Sequence, residues 1–256
     1  MLPREHGAYG QIAFPLIAAY AVAGVSTASL LMTVTVIAGF LAHEPAAIVL
    51  GQRGGRVKRE LCASATRWLV CCLAVGVAAG LAAVGRLDAV TRWSLAIPAV
   101  PAFALMVAMI KGREKSWFGE AAAALAFAGA AVPIALAAGA SMDVALAVAI
   151  PFALLFTTTT LAVRVVVLRV RGGGDPRAAA ATQRAALMLS GVSALMIGVL
   201  AMTGWLASSV LVAAAPGLLT GAIVAVRPPA ATRLRSLGWS LVAVSTLTTL
   251  IVIATA

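Results

Sequence analysis

Charged side chains are scarce in this chain, and their scarcity excludes a water-soluble globular protein. Only 11% of the 256 residues are Asp, Glu, Lys or Arg, whereas 62% are hydrophobic. A typical soluble domain is about 25% charged and about 45–50% apolar. The chain has too little polar surface to cover a soluble fold, so we interpret it as an integral membrane protein.

Cysteine, histidine and aspartate are also rare, and their spacing excludes several kinds of site. The three cysteines form no CxxC pair, so we expect neither a disulfide framework nor a zinc site. The chain has no HExxH motif and no GxxxxGK[ST] phosphate loop. No two aspartates stand in a DxxxD arrangement, so a magnesium ion would lack its usual carboxylate pair. We predict no metal ligands, and the sequence identifies no cofactor.

Long apolar runs dominate what is present. A helix that crosses a bilayer needs about 20 mostly apolar residues. Nine such runs occur, which predicts one all-α domain over residues 1–256, a bundle of nine transmembrane helices. The predicted spans are 9–26, 28–51, 66–85, 93–110, 119–139, 144–168, 186–204, 206–226 and 237–255.

Lysine and arginine lie almost entirely on one side of these predicted spans. With a cytoplasmic N-terminus, 17 of the 19 basic residues face the cytoplasm, and only Arg86 and Arg92 face the other side. The positive-inside rule therefore predicts a multi-pass protein of the plasma membrane with its N-terminus in the cytoplasm. The net charge of +11 lies in short loops between apolar runs. This distribution favours anionic membrane lipids, and not nucleic acid, as the partners of the basic residues.

Four ionisable residues fall inside or at the ends of apolar runs. His43 and Glu44 lie near the cytoplasmic end of the second run, Glu120 begins the fifth, and Arg164 is near the end of the sixth. Ionisable groups in a membrane are costly and usually face a wet cavity or one another. One interpretation is a hydrated cytoplasmic cavity in which His43, Glu44 and Glu120 act as acids or bases. The other is a structural ion pair, Glu44–Arg164 or Glu120–Arg164.

Glycine-rich basic loops follow the second and sixth runs, a composition suited to phosphate binding. Glycine lets backbone N–H groups approach an anion, and arginine binds phosphate through paired hydrogen bonds. The candidate substrate-binding residues are Glu5, His6, Tyr9, Arg53, Arg56, Arg59, Arg164, Arg169 and Arg171. The alternative is that the loop cations set the topology and contact anionic lipid. Glu114, between two basic residues, is expected to be solvated.

Three segments resemble the YwiC-like family of bacterial membrane proteins. They are the opening Pro3-Arg4-Glu5-His6-Gly7-Ala8-Tyr9-Gly10, the triplet His43-Glu44-Pro45 with its arginine–glycine loop, and Arg113-Glu114-Lys115-Ser116-Trp117-Phe118-Gly119-Glu120. The resemblance covers most of the chain, and the opening is its most specific part. It implies a membrane protein and no particular reaction.

A more distant resemblance, of topology and loop position, is to the UbiA-type intramembrane prenyltransferases. That family has nine helices, a cytoplasmic N-terminus and substrate motifs near its second and sixth helices. Its aspartate-rich motifs, which hold magnesium and a prenyl diphosphate, have no counterpart here. His43-Glu44 stands near the first position, and Arg164 with the lone Asp175 near the second.

Three hypotheses for function follow. The first is an intramembrane transferase that holds a prenyl or other lipid phosphate in a basic cytoplasmic-side cavity. The second is a transporter or other proton-coupled membrane protein that uses His43, Glu44 and Glu120 as a relay. The third is a non-catalytic membrane assembly or lipid-binding protein. The sequence specifies neither the substrate nor the oligomeric state.

Overall fold

The computed structural model of the protein describes residues 6–170 and 176–255, and within these ranges all regular secondary structure is helical. The helices, in chain order, are α1 (His6–Ala23), α2 (Thr27–Val49), α3 (Gly55–Val84), α4 (Ala89–Ser94), α5 (Ala96–Ile110), α6 (Trp117–Gly129), α7 (Ala131–Ala137), α8 (Met142–Val170), α9 (Pro176–Met202), α10 (Ser208–Val226) and α11 (Leu234–Thr255).

Eight helical segments of the described chain are long and apolar enough to cross a membrane. They are Thr27–Val49, Gly55–Val84, Ala89–Ile110, Trp117–Ala137, Met142–Arg169, Arg177–Met202, Ser208–Val226 and Leu234–Thr255. A shorter apolar helix, Gly7–Ala23, precedes them. Its 17 residues are at the lower limit of about 17–25 for a spanning helix. The predicted all-α, multi-pass bundle is confirmed, and a count of nine spans depends on α1.

Two of the spans are interrupted where prolines remove helical hydrogen bonds. Proline lacks the N–H that would bond the carbonyl four residues earlier. Pro98 thus separates α4 from α5, and Pro133 separates α6 from α7. Leu95 and Ala130, at the two junctions, keep right-handed helical dihedral angles. Both spans therefore stay helical through the interruption and are not unwound.

Small residues bring α2 and α3 into close contact. A Cβ placed on Gly76 would lie 3.3 Å from the Ala38 Cβ, and one on Gly80 would lie 3.4 Å from the Thr35 Oγ1. The Thr35 hydroxyl also donates to the Gly76 carbonyl at 3.2 Å. Glycines four residues apart are a common device for helix packing in lipid, where close approach replaces the hydrophobic driving force.

The same glycine spacing joins α10 to α8. A Cβ on Gly217 would lie 2.8 Å from the Leu155 Cα, and one on Gly221 would lie 3.0 Å from the Thr158 Cβ. α8 also packs against α1, α6, α7, α9 and α11, so it is central to the bundle. The largest group of buried apolar residues comes mainly from α1, α2, α6, α7 and α8.

Side-chain contacts show which helix ends share a side. Arg53 after α2 contacts Glu114 before α6, and Arg164 near the end of α8 contacts the Lys115 carbonyl. Gln183 of α9 donates to the carbonyl of Ala225, near the end of α10. We call this end of the molecule the basic side. On the opposite side the Ser26 hydroxyl donates to the Ala137 carbonyl at 2.7 Å.

On the basic side α3 and α9 begin earlier than the apolar runs. α3 starts at Gly55 and α9 at Pro176, about ten residues before the predicted spans. Ala, Arg, Lys and Glu form helices readily, so a helix continues where the hydrophobic pattern stops. The apolar runs therefore mark the length of chain suited to lipid, and not the length of the helix.

Candidate functional site

Two glycine turns on the basic side position the candidate site. Gly51 and Gly112 adopt φ values of +81° and +65° just after α2 and α5. After each, the next N–H bonds back across the turn, Gln52 to the Ala47 carbonyl and Arg113 to the Ala108 carbonyl. Glycine favours this left-handed conformation, which ends a helix and satisfies its last carbonyls. The Gln52 side-chain amide donates to the Met109 carbonyl and holds the two turns together.

Arg53 binds two carboxylates from different elements. Its Nη2 lies 2.7 Å from the Glu44 Oε2, and its Nε donates to both Glu44 oxygens at 3.1 and 3.2 Å. Its Nη1 donates to the Glu114 Oε1 at 3.0 Å. The hydrogen bond to Glu44 is the main reason that the pKa of Arg53 is raised above its ordinary value. Arg53 therefore ties the end of α2 to the turn that precedes α6.

His43 lies beside the second of these carboxylates. Its Nε2 is 3.3 Å from the Glu114 Oε2, within ion-pair range. That oxygen is buried and accepts no hydrogen bond from any described residue. The imidazole and the carboxylate are therefore in contact, but their geometry does not meet the criteria of a hydrogen bond.

The four side chains form one charged cluster, Glu44–Arg53–Glu114–His43, whose centre is buried. The exposed fractions of the Glu44 and Glu114 side chains are 6% and 9%, against 21% for Arg53 and 25% for His43. Two carboxylates and one guanidinium leave a charge of −1 when the imidazole is neutral. Protonation of His43 or Glu114 makes the cluster neutral.

A second ion pair lies on the other side of the same turn. The Arg164 Nη1 lies 3.0 Å from the Glu120 Oε2 and donates to the Lys115 carbonyl at 2.8 Å. These side chains are 26% and 35% exposed, so solvent weakens the pair more than it weakens the cluster around Arg53. Residues 113–120 therefore connect α2 to α8 through two separate ionic contacts.

The turn that carries Glu114 is tightly built. Ser116 caps α6, its hydroxyl accepting from the Gly119 N–H at 3.2 Å. Gly119 is buried, and a Cβ there would lie 2.2 Å from the Glu114 carbonyl oxygen. Only glycine fits this backbone approach, so Gly119 helps to fix the position of Glu114.

The predicted site residues are spread over several places. Tyr9 packs edge-on against Phe40, with ring centroids 5.1 Å apart. Arg56 pairs with Glu60 at 2.8 Å on an exposed helix face, and Arg59 is exposed nearby. Arg169 donates to Gln183 at 2.8 Å. The charged cluster and the second ion pair contain the other predicted site residues that the structure describes: His43, Glu44, Arg53, Glu120 and Arg164.

Three predicted site residues cannot be placed. Glu5, Arg171 and the side chain of His6 lie outside the described part of the chain. Of the two ion pairs expected for Arg164, the structure forms the one with Glu120. Glu44 pairs instead with Arg53, nine residues later in the chain.

Sequence reasoning missed two members of the site. The expectation that Glu114 is solvated is wrong, because its side chain is 9% exposed and contacts both Arg53 and His43. Gln52 was not singled out, although its amide joins the two turns. A usable signal for Glu114 was the glycine–serine spacing around it, which predicts a compact turn and not a free loop.

Neither of two described cavities is lined by these side chains. One, of 270 Å³, lies on the opposite side between Arg86, Asp88, Thr91 and residues 136–139. The other is a space of 10 Å³ among residues of α8, α10 and α11. Within residues 6–170 and 176–255, no group of three or more His, Cys, Asp or Glu side chains is arranged to hold a metal ion.

Comparison with known proteins gives a family and no activity. No curated protein and no solved structure matches the chain. The arrangement of helices suggested by the UbiA-type resemblance therefore stays a prediction. A family model described as YwiC-like protein matches residues 2–135, just over half of the 256 residues. That range includes all of His43, Glu44, Arg53, Glu114 and Glu120, whereas Arg164 lies beyond it. The chain belongs to the YwiC-like family.

Proposed function

We propose that this is a proton-coupled membrane protein that moves protons through the His43–Glu114 pair on its basic side. The observation that carries the proposal is the 3.3 Å contact between the His43 Nε2 and the buried Glu114 Oε2, an oxygen that accepts no hydrogen bond from the described part of the chain. A buried acceptor oxygen without a hydrogen bond is unfavourable, and a shared proton would satisfy it. Histidine is the residue type whose charge changes most readily near neutral pH.

The charge of the cluster supports proton binding over anion binding. With His43 neutral, Glu44 and Glu114 share Arg53 as their ion-pair partner within residues 6–170 and 176–255, so one buried negative charge has no cation of its own in that part of the chain. Such a charge is costly, so uptake of one proton is favourable and uptake of an anion is not. Arg53 already donates to both carboxylates, and a phosphate would have to compete with them.

The location of the pair supports coupling between proton binding and helix position. His43 belongs to α2 and Glu114 to the turn between α5 and α6, so a proton between them changes the attraction between two separate elements. His43 is the more exposed partner and is the point at which a proton enters. The charged groups that face the pair are Glu44 on the same helix and Arg53 on the next turn.

The test is proton movement in proteoliposomes loaded with a pH-sensitive dye, with the membrane potential clamped by potassium and valinomycin. A step in external pH should produce a faster internal change in vesicles with protein than in protein-free vesicles. Glu114→Gln and His43→Gln should each reduce the rate to that of protein-free vesicles, because each removes one partner of the proton site.

Glu60→Gln is the matched control. Glu60 is also on the basic side and paired with an arginine, but its side chain is 57% exposed and its partner is Arg56, which is not a member of the cluster. Its variant should move protons at the parent rate. Parent protein that moves no more protons than empty vesicles, or a Glu114→Gln variant with the parent rate, would overturn the proposal.

A lipid-phosphate transferase, the UbiA-like alternative, is the second candidate. The observation in its favour is that acid–base groups and the exposed arginines of α3 occur on the same side of the membrane helices. It predicts a prenyl or phospholipid phosphate that co-purifies with the protein and is consumed on addition of an acceptor. Native mass spectrometry of gently purified protein distinguishes it from the proton-coupled protein, which needs no bound lipid phosphate.

A further inference from the structure

α3 packs on one side only. Its buried residues, Ala65, Cys72, Ala79 and Ala83, recur at helical spacing and, with Gly76 and Gly80, form the face that contacts α2. α2 is also its principal neighbour among the described helices. The opposite face of α3 is therefore not covered by any helix of residues 6–170 and 176–255, and it can contact a partner outside the protein.

That free face changes character along its length. Arg59, Ala63, Arg67, Val70, Val77 and Leu81 follow at intervals of four, four, three, seven and four residues, which keeps them on one face of a helix. All six are exposed, and the last three have 59%, 59% and 71% of their surface accessible. The face is cationic from Arg59 to Arg67 and apolar from Val70 to Leu81.

Two arginines on this face have no opposite charge beside them among the described residues. Arg56 is neutralised by Glu60, with 2.8 Å between the Arg56 Nε and the Glu60 Oε1. Arg59 and Arg67 have no ion-pair or hydrogen-bond partner within residues 6–170 and 176–255. The small side chain of Ala63 between them leaves room for a headgroup, so the pair forms an open cationic cradle.

We propose that this face of α3 is a binding site for one anionic phospholipid, its phosphate between Arg59 and Arg67 and its acyl chain along Val70, Val77 and Leu81. Val70 lies about 4–5 Å below Arg67 along the axis, and Leu81 about 21 Å below it. A hydrocarbon leaflet is about 15 Å thick, so the apolar part of the face spans one acyl chain. The charge complementarity selects an anionic over a zwitterionic lipid.

The site is separate from the proton-binding cluster. Arg53 belongs to the turn before α3 and is occupied by Glu44 and Glu114, whereas Arg59 and Arg67 are on the outer face of the helix. Loss of lipid selectivity and loss of proton movement are therefore independent outcomes.

Trp68 allows a direct test, because it follows Arg67 and is 47% exposed. The other four tryptophans, Trp93, Trp117, Trp205 and Trp239, are each more than half exposed and are replaced by Phe. Quenching of Trp68 is then compared in vesicles that contain brominated phosphatidylglycerol or brominated phosphatidylcholine. A single arginine near a lipid surface changes binding about fivefold, so the preference for phosphatidylglycerol should be about 5- to 25-fold.

Arg59→Gln with Arg67→Gln should bring the two lipids to nearly equal quenching. Arg233→Gln with Arg235→Gln is the control, because it removes two exposed arginines from the same side, one just before α11 and one in its first turn. That variant should keep the parent preference. Equal quenching by both lipids in the parent, or an equal loss of preference in the control, would overturn the site. The site would also be overturned if inorganic phosphate, at the concentration of the lipid, abolished the preference for phosphatidylglycerol.

Discussion

Replacing Arg53 with glutamine removes the cation shared by two buried carboxylates. The side chains of Glu44 and Glu114 are 6% and 9% exposed, and neither reaches another arginine among the described residues. Without Arg53, two negative charges would face each other at the junction of α2 with the α5–α6 turn. The folded protein would have to leave both charges uncompensated, take up a proton, or open the junction.

The expected loss in the free energy of unfolding is about 3 kcal/mol. Removal of one member of a buried ion pair typically costs about 3–5 kcal/mol, and the 21% exposure of Arg53 favours the lower end. Because the pKa of Arg53 is raised in the folded protein, its stabilising charge is present throughout the neutral range and is lost only at strongly alkaline pH.

Equilibrium unfolding in mixed detergent micelles, followed by circular dichroism, measures the loss. Arg56→Gln is the matched control: it is three residues away, pairs with Glu60 and has a side chain 85% exposed, so its loss should be about 0–0.5 kcal/mol. Adding Glu44→Gln and Glu114→Gln to Arg53→Gln should restore most of the stability, because no buried charge remains. Equal losses for Arg53→Gln and Arg56→Gln, or no rescue, would refute the assignment of a buried charge cluster.

Two glycine substitutions test the close contacts of the backbone. Gly217→Ala places a Cβ 2.8 Å from the Leu155 Cα, which cannot move without its helix, so we expect a loss of about 1–3 kcal/mol in the same unfolding assay. Gly119→Ala places a Cβ 2.2 Å from the Glu114 carbonyl, so it should both destabilise the protein by a similar amount and reduce proton movement by displacing Glu114. Gly191→Ala, with no atom within 4 Å, is the control for both and should be neutral or slightly stabilising. Wild-type stability in either test variant would contradict the corresponding contact.

The hydrophobic pattern was sufficient to predict the multi-pass helical architecture, whereas the orientation inferred from the charge asymmetry stays a prediction. A spanning helix must satisfy its backbone internally and present apolar side chains to lipid, so its signal is local and about 20 residues long. The interruptions near Pro98 and Pro133 also have a local cause, because each proline lacks the N–H that continues a helix. The starts of α3 and α9 were missed because helix formation by charged residues outside the lipid leaves no hydrophobic pattern.

The partners within the candidate site were less predictable. His43, Glu44, Glu120 and Arg164 stood out because each lies within or beside an apolar run, and the Glu120–Arg164 pair was one of two alternatives considered. Glu114 did not stand out in the sequence, because its neighbours Arg113 and Lys115 make it look like an exposed residue of a charged loop. Whether a loop residue is buried depends on the elements that meet there, which a single sequence does not encode locally.

The glutamates offset part of the positive charge that lies on one side of the spans. All five glutamates fall on the side predicted to face the cytoplasm, and each of the four described accepts from an arginine: Glu44 and Glu114 from Arg53, Glu60 from Arg56, and Glu120 from Arg164. Three of the arginines expected to hold a phosphate are therefore already compensated. Among the described residues, the cluster around Arg53 is balanced or slightly negative, whereas Arg59 and Arg67, which have no ion-pair partner there, lie on the exposed face of α3. An anion should therefore be bound at the periphery and a proton at the centre, the reverse of a central basic cavity.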